Sequence, residues 1–285
     1  MPKCSGVGRL DAAFGASNGR GWQVILDTGQ SNDAGGYSLA TEYDLILQYP
    51  QNNTLRAYNL FCHHQATAPT GAFAEDDVLK PVQPWQMGTA TAPFPVSGPL
   101  VGSWQLNLAH GLRQMGVKPA ILSFAWGGEN LDFWVPGAPG SYYNLIVGWW
   151  DARLAELSAL GPILPNFVLH MYQGESGNGT QANWQTGFAT FMAAIRAHYS
   201  QPSMPCVVVG LPATYTPGST IRTEQDLYVA SDPHSLLARN DGSTYIVNPG
   251  PPNLHIDVPS GTALAVGPND SLVTSVLSCD LQLLR

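Results

Sequence analysis

Clustered positive charge is missing from this chain. Lys and Arg number 12 against 20 Asp and Glu, for a formal net charge of −8, and no run of Lys or Arg occurs. Binding to phosphate backbones or anionic lipid needs grouped cations, so neither nucleic acid nor a membrane surface is expected as a partner. Charge of either sign is scarce: 11% of residues are charged, against about a quarter in an ordinary globular chain. Such a surface suits a neutral substrate.

Cysteine is scarce too. The four, Cys4, Cys62, Cys206 and Cys279, form no CxxC pair and are too few to staple 285 residues. Cys206 opens the apolar run CVVVG and reads as a small core residue. Cys62, His63 and His64 are too thin a group to predict a metal centre, and no cofactor is expected. The N-terminal stretch MPKCSGVGRLDAAFGAS lacks the apolar core of a signal peptide. No run reaches membrane-spanning length, so the chain reads as soluble. Internal repeats and a second domain boundary are also absent. Residues 1–285 are expected to form a single domain, with a core drawn from the 44% of residues that are hydrophobic.

What is present is alternation. QVILDTG (23–29), AILSFAWG (120–127), NFVLHMYQG (166–174), PCVVVGLP (205–212) and STYIVN (243–248) read as strands. Between and after them, 99–116, 143–161, 183–200, 221–232 and 261–284 read as helices. The second of these is stopped by Gly161 and Pro162, and the third carries Trp184, Phe188, Phe191 and Ile195 on one face. Strand–helix alternation predicts a three-layer α/β/α sandwich around a parallel sheet of about five strands. Segment 48–98, rich in Asn, Thr, Pro and Gln, breaks the pattern and reads as an irregular excursion over one sheet edge.

In such a sheet, ligands bind beyond the carboxyl ends of the strands. GQSN (29–32), WGGEN (126–130), YQGES (172–176) and NLHID (253–257) all follow strands. A serine nucleophile needs a base and donors for a tetrahedral oxyanion. Ser31, just past the first strand, is either that nucleophile or a helix-capping turn residue. The candidate donors are the Ser31 amide, an amide of Gly127 or Gly128, and the Gln173 side chain. Among the seven histidines, His110 and His198 fall on amphipathic helices, His170 lies inside a strand as a core residue, and His234 sits in a helix-ending turn. His255, past the last strand, remains as the base. Gln30 and Asn32 beside the serine, and Trp126 and Trp134 around the GG loop, are candidate substrate contacts. Each tryptophan taken singly also fits a core role.

With these four motifs in this order, the chain from about Gln23 to Leu264 resembles the SGNH hydrolases. The closer resemblance is to their sialate O-acetylesterase-like branch, with its acetylxylan-type carbohydrate esterases. The resemblance implies a flavodoxin-like sandwich, a Ser31 nucleophile, a His255 base, and an oxyanion hole from the Ser31 amide, a Gly127 or Gly128 amide and Gln173. It implies an O-acetylated carbohydrate as substrate. One departure stands out. The family often has an aspartate three residues before its histidine, and Pro252 occupies that position here. Either a Ser–His dyad acts, or Glu175, Asp257, Asn253 or a backbone carbonyl orients His255. The competing function is a catalytically weakened carbohydrate-binding or structural module on the same scaffold.

Overall fold

The computed structural model describes residues 21–30, 60–65, 80–81, 85–86, 100–101, 112, 117–125, 129–175, 183–211, 213, 219–239, 245–246 and 255–256. For 60–65, 80–81, 85–86, 100–101, 239, 245–246 and 255–256 it describes the backbone alone.

The strands are β1 (Gln23–Gly29), β2 (Leu60–Gln65), β3 (Lys80–Pro81), β4 (Trp85–Gln86), β5 (Leu100–Val101), β6 (Pro119–Ala125), β7 (Val168–Tyr172), β8 (Cys206–Gly210), β9 (Ser235–Arg239), β10 (Tyr245–Ile246) and β11 (His255–Ile256). Three long helices are described: α1 (Tyr143–Leu160), α2 (Trp184–His198) and α3 (Ser219–Ser231). Among the described residues, no helix is long and apolar enough to cross a membrane.

Seven strands form one sheet in the order β3-β2-β6-β1-β7-β8-β9. All neighbours pair in parallel except β3, which runs antiparallel to β2. The five strands β6-β1-β7-β8-β9, renumbered along the chain, run 2-1-3-4-5, the flavodoxin-like order. Residues of β1, β6, β7 and β8 are buried in both phases of the strand alternation. That is why these segments are nearly continuous apolar runs: a parallel sheet is covered on both faces. One face carries Val24, Leu26, Leu122, Phe124, Leu169, Met171 and Val208 into a cluster with the buried side chains of α1, α2 and α3. The opposite phase, Ile25, Ile121, Val168, Val207 and Val209, is equally dry.

Two strand assignments differ from the sequence reading. The last strand of the sheet is Ser235–Arg239, which pairs with β8 from Cys206↔Ser235 to Gly210↔Arg239. STYIVN contributes only β10, paired antiparallel with β11 in a separate ladder. Its β-branched and aromatic content suits any ladder, and it outweighed the shorter apolar signal of SLLAR. Segment 48–98 holds β2, which adds a sixth parallel strand outside β6 (His63↔Ser123), and the short β3 and β4. The helices expected at 143–161, 183–200 and 221–232 are present within two residues at each end. The one expected at 261–284 lies outside the described residues, as does nearly all of 99–116, where Leu100–Val101 is a strand and Leu112 is helical.

Candidate active site

The order in which strands are added reverses at β1, which lies between β6 and β7 and runs parallel to both, so their carboxyl ends are the topological switch point of the sheet, where ligands of open α/β sheets bind. Thr28, on β1, ties two of these ends together. Its hydroxyl donates to the Phe124 carbonyl at 2.7 Å and accepts from the Trp134 indole at 2.8 Å. One residue past β1, the Gln30 amide donates to the Tyr172 carbonyl at 2.9 Å. The Gln30 side chain then spans three chain segments. Its Oε1 accepts from the backbone N–H groups of Gly174 and Glu175, each at 2.9 Å, and its Nε2 donates to the Glu129 carbonyl. Gln30 is wholly buried. It acts as a clamp between the loop after β6 and the loop after β7, using its carboxamide as a substitute for backbone pairing.

Gln173 is held as closely. Its Oε1 accepts from the Trp184 indole N–H at 2.6 Å, and its Nε2 lies 3.4 Å from the same Glu129 carbonyl. Its backbone carbonyl accepts from Gln225 Nε2 at 3.0 Å, while Gln225 Oε1 accepts from the Leu211 amide at 3.0 Å. Gln225 thus bridges the ends of β7 and β8 from α3. The next residue, Gly174, has φ +136, and a Cβ there would stand 2.8 Å from Ile221 Cγ2. Only glycine combines that backbone angle with so close an approach of α3. Trp184 opens α2, stacked on Phe188 with centroids 4.8 Å apart and edge-on to Tyr228. The first turn of α2 is braced by Glu224 of α3, whose Oε2 accepts from the Gln185 amide at 3.1 Å.

Three glutamine carboxamides, those of Gln30, Gln173 and Gln225, thus carry the bonds between these loops, with the charged Glu224 and Arg222 bonded to backbone beside them. Glu175 is buried two residues past Gln173. Tyr142, near the Glu129 side, has its hydroxyl pKa raised by burial first and by Glu129 second. Among the described residues, no group of three His, Cys, Asp or Glu could hold a metal ion.

Of the predicted site residues, Gln30, Gln173 and Glu175 meet around one another, joined by the bonds above. Trp134, expected at the substrate, is wholly buried in the cluster under α1 and α2, with its indole N–H satisfied by Thr28. Gln30, expected likewise at the substrate, spends its carboxamide on loop backbone. In both cases the strand-end position was legible, but the direction of the side chain was not. Ser31, Asn32, Trp126, Gly127 and Gly128 lie outside the described residues. They are the chain neighbours of the clamped atoms: Ser31 follows Gln30, and Gly128 precedes Glu129. His255 opens β11, opposite Ile246, and its side chain is not described. His170 is the buried strand residue expected of it, with Nδ1 against Asp27 Oδ1 across β1 and β7.

Two residues escaped the sequence reading. Gln225 carries a usable signal: with Ile221 and Tyr228 it lies on the buried stripe of α3, where a polar side chain needs internal partners. Trp184 carries none, because an aromatic on the apolar face of a helix reads as core.

The family model described as "Carbohydrate esterase, sialic acid-specific acetylesterase" matches residues 22–266. No curated protein sequence matches significantly. Three solved structures share the fold. A protein from Arabidopsis thaliana is 16% identical, with TM-score 0.57, over 90% of this chain and 98% of that one. The structure titled NanS is 13% identical, with TM-score 0.59, over 93% and 98%. A carbohydrate acetylesterase from Xanthomonas citri is 19% identical, with TM-score 0.50, over 85% of this chain and 55% of that one.

Proposed function

The chain belongs to the sialic acid-specific acetylesterase family of carbohydrate esterases, and on that premise we propose that it is a metal-independent serine esterase removing O-acetyl groups from a carbohydrate. The observation that carries this reading is the meeting of three strand ends at the Glu129 carbonyl, which both Gln30 and Gln173 approach through their amide nitrogens. It brings the residue before Ser31, the residue after Gly128 and the Gln173 amide to one point.

In this reading Ser31 Oγ attacks the acetyl carbon while His255 takes its proton. The negative charge that develops on the carbonyl oxygen is met by the Ser31 amide, an amide of Gly127 or Gly128, and Gln173 Nε2–H. The tetrahedral species collapses, the sugar hydroxyl leaves with the proton from His255, and acetyl stays on Ser31. Water, deprotonated by His255, then attacks the acetyl-enzyme, acetate leaves, and His255 returns the proton to Ser31 Oγ. Pro252 supplies no carboxylate to hold the imidazole. Glu175 is the best substitute, because it is buried at the same strand end as Gln173. Residues 1–285 act as one domain.

The test is hydrolysis of p-nitrophenyl acetate and of an O-acetylated sugar, with and without a chelator, by the wild-type protein and Ser31→Ala. Turnover that survives the chelator and disappears in Ser31→Ala supports the reading. A folded wild-type protein inert on every acetyl ester yet retained by acetylated sugar would instead indicate a binding module.

A further inference from the structure

An oxyanion donor works only if it is aimed before the reaction begins. A glutamine side chain is poorly suited to this, because its carboxamide can rotate by half a turn and present oxygen where nitrogen is needed. In this protein the shorter of the two contacts that oppose that rotation is made by an indole. We propose that Trp184 is a positioning residue, whose indole N–H holds Gln173 Oε1 and thereby keeps the Gln173 N–H donors turned toward the acyl oxygen. The inference rests on the reading of Gln173 as an oxyanion donor.

The chemistry of the indole decides the orientation. Indole nitrogen donates and cannot accept, so the Gln173 atom 2.6 Å away is the oxygen. Nε2 is then the outward atom, and its 3.4 Å approach to the Glu129 carbonyl fits a donor facing an acceptor. That contact is long, and at most one of the two N–H groups of Nε2 makes it. A rotated carboxamide would set two donors face to face at Trp184 and two acceptors face to face at Glu129. Both arrangements lie in a dry site, since Gln173 and Trp184 are each wholly buried.

The indole is itself held in place by its surroundings. It is stacked on Phe188, edge-on to Tyr228, and carried on a helix start whose second residue is bonded to Glu224. Gln225 fixes the other end of Gln173 through its backbone carbonyl. The side chain is thus pinned at its root and at its oxygen, and the remaining freedom belongs to the N–H donors that face the reaction.

The experiment measures kcat and KM on p-nitrophenyl acetate for Trp184→Phe, Gln173→Ala and the double variant. A protein carrying β-(3-benzothienyl)alanine at position 184 is included; its sulfur replaces the N–H without changing ring shape, so the test survives if Trp184→Phe folds poorly. Loss of an oxyanion donor costs about 10²–10³ in kcat, and loss of its aim should cost about 10-fold or more with KM within about threefold. The expected result is that fall in both position-184 variants, with the benzothienyl protein still folded and unfolding cooperatively, and no further fall when Trp184→Phe is added to Gln173→Ala. Wild-type kcat in the benzothienyl protein beside a collapsed Gln173→Ala overturns the positioning role and leaves the oxyanion reading standing. An equal fall from Trp184→Phe with or without Gln173 also overturns it, since the effect would then travel through packing. Wild-type kcat in Gln173→Ala overturns the oxyanion reading itself.

Discussion

The two ends of the parallel strands carry polar networks of different make-up. At the amino ends of β8 and β9 the network is ionic. Arg196 donates to Asp232 Oδ2 at 2.7 Å and to the Met204 carbonyl, and Asp232 also accepts from Tyr228, Ser235 and the His234 amide. Burial pushes the Asp232 pKa up, but the bonds from Arg196, Ser235, Tyr228 and the His234 amide outweigh it and hold the pKa at about 2. At the carboxyl ends of β1, β6 and β7 the bonds between loops run through amides, those of Gln30, Gln173 and Gln225, with the Trp184 indole. A charge pair secures the amino ends, where both oxygens of Asp232 are occupied by donors. Amides suit the carboxyl ends: they do not titrate, they pin loops by mimicking backbone, and they can leave an N–H for a ligand. On the proposed function, stability and chemistry fall to opposite ends of the strands.

That division can be broken from either side. The largest effect is expected for Gln30→Ala, which leaves the Gly174 and Glu175 amides without their buried acceptor. It should cost about 2–4 kcal/mol of stability and lower kcat rather than raise KM, as measured by urea denaturation and steady-state kinetics. A change in KM alone would make Gln30 a substrate contact after all. Gly174→Ala should follow closely, at about 1–3 kcal/mol, because the angle and the Ile221 contact are both unfavourable. Asp232→Asn should cost about 1–2 kcal/mol by the same denaturation measurement while kcat stays at the wild-type value. The pH dependence has a definite sign. The folded pKa of Asp232 lies near 2, below its ordinary 3.8, so its contribution is complete above about pH 4 and is lost as pH falls toward 2. The melting temperature of Asp232→Asn should therefore fall less over that window than that of the wild type. Smallest of all, Asp257→Asn should lower kcat/KM by less than about tenfold, with Glu175→Gln lower still.

The parallel sheet was legible in the sequence because strands buried on both faces must be continuous apolar runs, and four such runs are present between helix-like segments. The strand Ser235–Arg239 was obscured because five residues straight after a helix offer little periodicity. In the candidate site, the glycines and amides at strand ends marked the place, since a strand that stops in GQ or QG has few reasons to do so. Which way those amides turn was not legible. Gln30 and Trp134 both point inward, and the reason lies in partners about 100 residues away in sequence, such as Glu129 and Thr28. Trp184 was hidden by its own hydrophobicity: the ring satisfies the helix pattern, and only its partner reveals that the N–H matters.

The proposed function places a reactive Ser31 at the amide-rich carboxyl ends of β1, β6 and β7. The most direct measurement is labelling with a fluorophosphonate, read by intact mass and then by peptide mapping, on the wild-type protein and Ser31→Ala. The expected result is one phosphonyl group per wild-type chain, located on Ser31, and none on the alanine variant at the same concentration and time. An unlabelled wild-type protein of intact fold, or a label carried by another residue and kept in Ser31→Ala, would contradict the account.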